Sequence, residues 1–265
     1  MNWQEIAESG HYGDKIVRIT VPHEPQRIER APVVILLHGV HGCANAEPGN
    51  KYLHIAQALV NMGINAAMIE TSRAQRNPEL YGDDRVAWAI GAFSGKTFEE
   101  DLADNLVGIN RIKKDFPHSA LWLWGFSLGG IHSVIIASKK ENPLDGLILS
   151  GSGIELTKEG EKALNLPILN TMPQREELKK AAKHASTKKV IAFWGSEDNI
   201  FSKESCMALV DLIPIPPKNK EFHIIKGADH SFRLMKGKQS TEPIKAMIHI
   251  VGPQILQGHG ASNPK

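Results

Sequence analysis

Short, almost uninterrupted apolar runs recur along the chain at residues 32–37, 65–69, 120–124, 146–149, 190–194 and 222–225, each set apart from the next by a segment with helical spacing. Runs of this length, rich in Val, Ile, Leu and Trp and bounded by turn residues, read as buried strands. Without polar alternation such a strand has no side to offer to water, so both faces of its sheet must be covered. Residues 15–21 alternate instead and predict a half-exposed strand near an edge.

The intervening segments predict helices over residues 52–62, 98–114, 130–140, 176–185, 203–212 and 243–255. In the second of these, Leu102, Leu106, Ile109 and Ile112 share a face, Thr97 with Glu100 forms a capping-box pattern, and Pro117 closes the segment. Strand and helix in regular alternation specify a three-layer α/β fold, a mostly parallel central sheet with helices on both faces. A chain of 265 residues, 42% hydrophobic and 23% charged, is consistent with one such domain over residues 1–265. Two connections exceed a minimal crossover: residues 71–96, carrying Tyr81, Trp88 and Phe93, and residues 151–187, carrying Leu164, Leu166, Ile168, Leu169 and Met172. Connections of that length in a compact domain usually serve function or add packing.

The charge balance argues against a nucleic-acid partner. The formal net charge is +2, from 31 basic and 29 acidic residues, and the densest basic pairs, Lys179-Lys180 and Lys188-Lys189, read as solvated surface. Cys43 and Cys206 stand far apart without further cysteines, so both are expected as free thiols, with neither a disulfide framework nor a thiolate metal site. The opening Met1-Asn2-Trp3-Gln4-Glu5 lacks a basic region followed by an apolar stretch, and no run reaches membrane-spanning length. A soluble, cytoplasmic chain without a membrane partner is the expectation.

Chemistry enters at Gly125-Phe126-Ser127-Leu128-Gly129-Gly130, which follows the strand at 120–124 directly and leads into an apolar helix. A Gly-x-Ser-x-Gly turn between strand and helix lifts the serine hydroxyl out at the carboxyl edge of a sheet. The glycines two residues to either side are needed because strand and helix approach too closely there for side chains. A serine hydroxyl is a weak nucleophile at neutral pH, so it requires a histidine to take its proton and a carboxylate to orient that histidine.

Both partners follow in the order Ser, Asp, His. Gly195-Ser196-Glu197-Asp198-Asn199-Ile200-Phe201 exits the strand at 190–194, and Gly227-Ala228-Asp229-His230-Ser231-Phe232 exits the strand at 222–225. Asp198 is preferred to the adjacent Glu197 and to Asp229, since it lies three residues after Gly195 and just before Ile200-Phe201, which could anchor the turn. His230 is preferred to His132, on the helix after the nucleophile, and to His223, within a strand, because a loop allows its ring to lie over Ser127. The expected catalytic residues are therefore Ser127, Asp198 and His230.

A tetrahedral intermediate also needs N–H donors for its oxyanion. His38-Gly39-Val40-His41-Gly42 follows the strand at 32–37, and the donors are assigned to the backbone amides of Val40 and of Leu128, the residue after the nucleophile. No acidic or thiol cluster completes a ligand set around His38 and His41, so no metal is expected there.

These motifs, at 38–42, 125–129, 195–198 and 227–232, together resemble the α/β-hydrolase superfamily, with its esterase and dienelactone-hydrolase-like branches nearest, over residues 32–232. The resemblance implies an eight-stranded, mostly parallel sheet. Only one clear strand precedes residue 32, so an antiparallel beginning of the sheet is expected to be shortened or irregular. It also implies a cap after the strand ending near Ser150, for which residues 151–187 make a small insertion, too short for a large lipase lid. Dienelactone hydrolases carry cysteine at the elbow, whereas Ser127 stands here, so serine esterase chemistry on a small-molecule ester of short to medium acyl chain, without a cofactor, is what the resemblance implies. Thioesterase, peptidase and acyltransferase activities use the same triad. A non-catalytic binding module predicts a missing triad member, and none is missing.

Overall fold

The computed structural model describes the chain except for residues 24–26, 41, 83, 140, 142, 164–166, 235–240 and 261–265. Among the described residues the strands are β1 (Trp3–Ser9), β2 (Ile16–Pro22), β3 (Val33–Leu37), β4 (Asn65–Glu70), β5 (Leu121–Phe126), β6 (Leu144–Ser150), β7 (Thr187–Gly195) and β8 (Lys220–Ile225). They form one eight-stranded sheet in the order β1-β2-β4-β3-β5-β6-β7-β8. β1 with β2 and β2 with β4 run antiparallel, while every pairing from β4 across to β8 is parallel.

Every residue of β3, β4 and β5 is buried, as their unbroken apolar runs require. Successive side chains on a strand point to opposite faces. Val33, Ile35 and Leu37 accordingly enter one apolar cluster, and Val34 and Leu36 enter the other. The first cluster is closed by α3 (Phe98–Asp115), α4 (Leu128–Ala137), α7 (Arg175–His184) and α8 (Lys203–Leu212), and the second by α1 (Lys51–Asn61) and α9 (Glu242–Gly260). Each large aliphatic side chain fully buried this way contributes roughly 1.5–3 kcal/mol. The three layers read from the sequence are present.

The start of the sheet corrects one expectation. β1 pairs with β2 over its whole length, Trp3 opposite Pro22 through Ser9 opposite Ile16, so the antiparallel beginning is complete rather than shortened. β1 hides in the sequence because it is an edge strand whose residues alternate between exposed and half-buried, with only Trp3, Ile6 and Ala7 apolar.

The two long connections contain helices of their own. Residues 71–96 include a 3₁₀ turn (Pro78–Tyr81) and α2 (Arg85–Phe93), which ends in the buried Phe93. Residues 151–187 include α5 (Lys158–Ala163), α6 (Pro167–Asn170) and α7, whose Leu178 and Ala182 pack into the α4 side of the core. Ile168 is buried there too, while Leu164 and Leu166 lie outside the described residues. Among the described residues no helix is long and apolar enough to cross a membrane.

Candidate active site

β5 runs out at Phe126, and the chain reverses at Ser127 to enter α4 at Leu128. Ser127 adopts φ 52° and ψ −117°, a left-handed conformation that costs a non-glycine residue on the order of 1–3 kcal/mol and persists only where the surroundings enforce it. The enforcement is steric and hydrogen-bonded. A Cβ on Gly125 would lie 2.3 Å from the carbonyl carbon of Gly129, and one on Gly129 would lie 2.5 Å from the carbonyl oxygen of Leu37. The Ser127 N–H donates to the Ser150 carbonyl at 2.8 Å, and the Ser152 hydroxyl donates to the Ser127 carbonyl at 2.8 Å. The end of β6 thus clamps the elbow from one side.

Asp198 leaves β7 in a turn held by its own side chain. Its Oδ1 accepts the N–H groups of Ile200 (2.8 Å) and Phe201 (3.1 Å), which leaves Oδ2 to face His230 Nδ1 at 2.9 Å. The Asp198 side chain is fully shielded from solvent, whereas that of His230 is 20% exposed. His230 Nε2 lies 2.9 Å from Ser127 Oγ. A proton on Nδ1, facing the carboxylate, leaves Nε2 as the acceptor for the serine hydroxyl. Hydroxyl, imidazole and carboxylate, spread over residues 127–230, therefore stand in one hydrogen-bonded line.

The rival groups are engaged elsewhere. Asp229 closes the histidine loop on itself, accepting from the N–H groups of Ser231 and Arg233 and pairing with the Arg233 guanidinium. Glu197 accepts from Ser196 at 3.2 Å, His223 pairs with Glu221 on β8, and His132 is buried on α4 between Phe98 and Asn105.

The loop after β3 abuts the nucleophile: a Cβ on Gly39 would fall 3.0 Å from Ser127 Cβ and 3.6 Å from its Oγ. Neither the Val40 N–H nor the Leu128 N–H has a hydrogen-bond partner among the described residues. For Leu128 the reason is general, since the first N–H groups of a helix have no intrahelical acceptor and carry the positive end of its dipole. His41 lies outside the described residues. His38 is a structural group: its Nδ1 meets the Gly39 carbonyl at 2.9 Å and its Nε2 accepts the Thr71 N–H at 3.3 Å. Burial, and secondarily the Arg73 charge, push its pKa down to about 4, so it stays neutral.

Behind this loop lies a buried polar cluster that the sequence patterns did not reveal. Lys96 Nζ meets Asp101 at 2.7 Å, Asp104 at 2.9 Å and the Ser72 carbonyl at 2.7 Å. Burial opposes a charge on Asp101, but Lys96, then His132 and His38, hold its carboxyl well below the usual carboxylate range. Asp101 lies in the first turn of α3, where an acidic residue reads as ordinary helix-end chemistry, and nothing local marks Asp104, one turn further on, as its companion. Among the described residues no group of three or more His, Cys, Asp and Glu side chains is arranged to hold a metal ion.

No protein-family model matches the sequence, and no curated protein matches it at a significant level. Solved structures match over nearly the whole chain at low identity. The structure of Est1E from Butyrivibrio proteoclasticus with ferulic acid bound is similar with a TM-score of 0.66 at 14% identity, covering 92% of this chain and 95% of that one. A cold-adapted esterase from an Arctic intertidal metagenomic library gives 0.64 at 16% identity, over 95% and 93% of the two chains. A dienelactone hydrolase from Anabaena variabilis gives 0.60 at 13% identity, over 96% and 98%. With the strand order above, these likenesses establish the α/β-hydrolase fold.

Proposed function

We propose that this chain is a serine hydrolase that cleaves carboxylic esters of short to medium acyl chain through an acyl-enzyme on Ser127. The observation that carries the reading is the pair of 2.9 Å contacts through His230, one to Ser127 Oγ and one to Asp198 Oδ2. Ser127 Oγ attacks the ester carbonyl while His230 Nε2 takes the hydroxyl proton. Asp198 remains a carboxylate throughout and stabilises the imidazolium. The carbonyl oxygen becomes an oxyanion facing the amides of Val40 and Leu128, which are worth most when aimed before the charge develops. Collapse breaks the ester C–O bond, and the alcohol departs with the proton from His230. Water, deprotonated by the same imidazole, then attacks the acyl-enzyme; the bond from the acyl carbon to Ser127 Oγ breaks, the carboxylic acid leaves, and His230 returns the proton to Oγ.

The preference for short and medium acyl groups rests on reading residues 71–96 and the small cap-like stretch 151–187 as the walls of the pocket. Phe93 in the first stretch and Ile168 and Leu178 in the second are buried in the core, which supports walls that move little. The names of the similar structures lend support of a coarser kind, since they include esterases and a dienelactone hydrolase.

The test is hydrolysis of p-nitrophenyl esters of increasing acyl length by the native protein and by Ser127→Ala. Turnover is expected to fall on the order of 10⁴- to 10⁶-fold in the variant. A fluorophosphonate should label Ser127 and nothing in its place in the variant. Undiminished hydrolysis by Ser127→Ala refutes the mechanism; best turnover on emulsified long-chain triglycerides refutes the acyl preference alone.

A further inference from the structure

The loop after β3 is fastened at two points to one short segment, residues 71–73. At its start His38 Nε2 accepts the Thr71 N–H at 3.3 Å. At its end the Arg73 guanidinium donates to the Gly42 carbonyl oxygen and, at 3.0 Å, to Cys43 Sγ. Gly39, which abuts Ser127, and Val40 are strung between these fastenings.

Arg73 is built into the fold far more firmly than a surface arginine. Its side chain is 1% exposed and pairs with Glu70 at 3.3 Å. Its guanidinium lies 5.1 Å from the ring centroid of Phe93 and 5.8 Å from that of Trp88, both on α2. Its backbone is held from the β1–β2 turn, accepting from the Asp14 N–H at 2.7 Å and donating to Asp14 Oδ1 at 3.1 Å. The Nε is left without a partner, so the planar fork is aimed at the loop and at Glu70 rather than spread over the nearest acceptors.

We propose that Arg73 is a positioning residue that holds the loop after β3 so that the Val40 amide faces the reacting carbonyl oxygen. It acts through the main chain at Gly42, whose N–H donates to the Gly39 carbonyl at 2.9 Å, and never touches substrate. The proposal rests on the serine-hydrolase reading, in which Val40 is one of two oxyanion donors. A backbone donor accelerates the reaction only when its direction is fixed before charge develops. Loosening the loop therefore weakens binding of the tetrahedral state and leaves binding of the planar ester almost untouched.

Arg73→Lys keeps a positive charge beside Glu70 but loses the fork that reaches two loop atoms at once. The variant is expected to lower kcat for p-nitrophenyl butyrate by roughly 10- to 100-fold, with KM within about threefold of the native value. Affinity for a trifluoromethyl ketone, which forms a tetrahedral adduct on the serine, should fall by the same factor as kcat/KM. A kcat within about twofold of native overturns the proposal, as does a raised KM at unchanged kcat, which would make Arg73 part of the substrate pocket. Should Arg73→Lys lack a cooperative thermal transition, the double variant Glu70→Gln/Arg73→Met removes both charges together and is read by the same criteria. Ser127→Ala serves as the separate arm. Its retained activity sinks the serine-hydrolase reading, whereas its inactivity beside a normal Arg73 variant sinks only the positioning role.

Discussion

Gly151 shows how tightly the site is assembled at the level of single residues. It follows the last residue of β6, donates its N–H to the Phe193 carbonyl at 2.9 Å and has φ +61°. An added Cβ would lie 3.3 Å from both Asp198 Oδ2 and His230 Nδ1. Gly151→Ala therefore combines backbone strain of about 1–2 kcal/mol with a push of a few tenths of an ångström on the acid–base pair. A Tm lower by roughly 3–6 °C is expected and, on the proposed mechanism, a kcat reduced about tenfold, since displacement of a catalytic group acts strongly on rate. Thermal melting and initial rates check both, and native values of each would show that the acid–base pair is free to give way. At this scale the meeting of Ser127 and His230 was legible because each stands in a turn whose local sequence suits the role proposed for it. Asp198 needed an argument against two carboxylates, and what sets it apart from them, two N–H groups that orient Oδ1 and leave Oδ2 to His230, is a contact and not a sequence pattern. Gly39 and Arg73 were not legible. Their significance lies in contacts with Ser127 and with the Gly42–Cys43 main chain, which no local pattern encodes.

At the level of elements, a segment was readable when its own sequence carried both its periodicity and its ends. α3 is the clearest case. Thr97 accepts from the Glu100 N–H at 3.3 Å while Glu100 Oε2 accepts from the Thr97 N–H at 2.8 Å, the reciprocal cap implied by the spacing. Thr97→Ala removes the side-chain half of that cap and is expected to destabilise the protein by about 1 kcal/mol. The loss would appear as a lower midpoint in urea with an unchanged m-value. Because Lys96 immediately precedes the cap, a loss well above 2 kcal/mol would mean that the cap also braces the buried Lys96–Asp101 pair. α2 was missed because Gly91 and the aromatic residues Trp88 and Phe93 weaken a helical reading, and its place is set by packing against Arg73 and Lys96 rather than by propensity. β1 was missed for the complementary reason, an edge strand with too few apolar residues to show a period.

Across the whole molecule, the buried polar groups join parts of the chain that are far apart in sequence, and they determine how the fold responds to acid. His132 is faced by Asp101 and Asp104 from α3, by Lys96 and by His38; His38 is faced by Arg73, Asp101 and Glu70. Burial is the largest influence on both histidines and pushes each pKa from 6.5 down to about 4. In the unfolded chain each takes a proton as the pH falls through 6.5, whereas the native chain holds them neutral until about pH 4. Between these values the unfolded state binds more protons, so stability falls with falling pH, by up to about 3 kcal/mol for each histidine. Below about pH 4 their contribution levels off, while Asp101 and Asp104, held low by Lys96 against the effect of burial, go on losing native-state stabilisation. Unfolding free energies from urea titrations should thus decline steeply as the pH falls from 6.5 towards 4. His132→Gln keeps an amide near Asn105 but cannot titrate, so its decline should be shallower by as much as about 1.4 kcal/mol per pH unit across that window. Curves for the native protein and His132→Gln that run parallel would mean that His132 takes its proton as readily in the folded state as in the unfolded one, and that burial does not keep it neutral beside the Lys96–Asp101 pair.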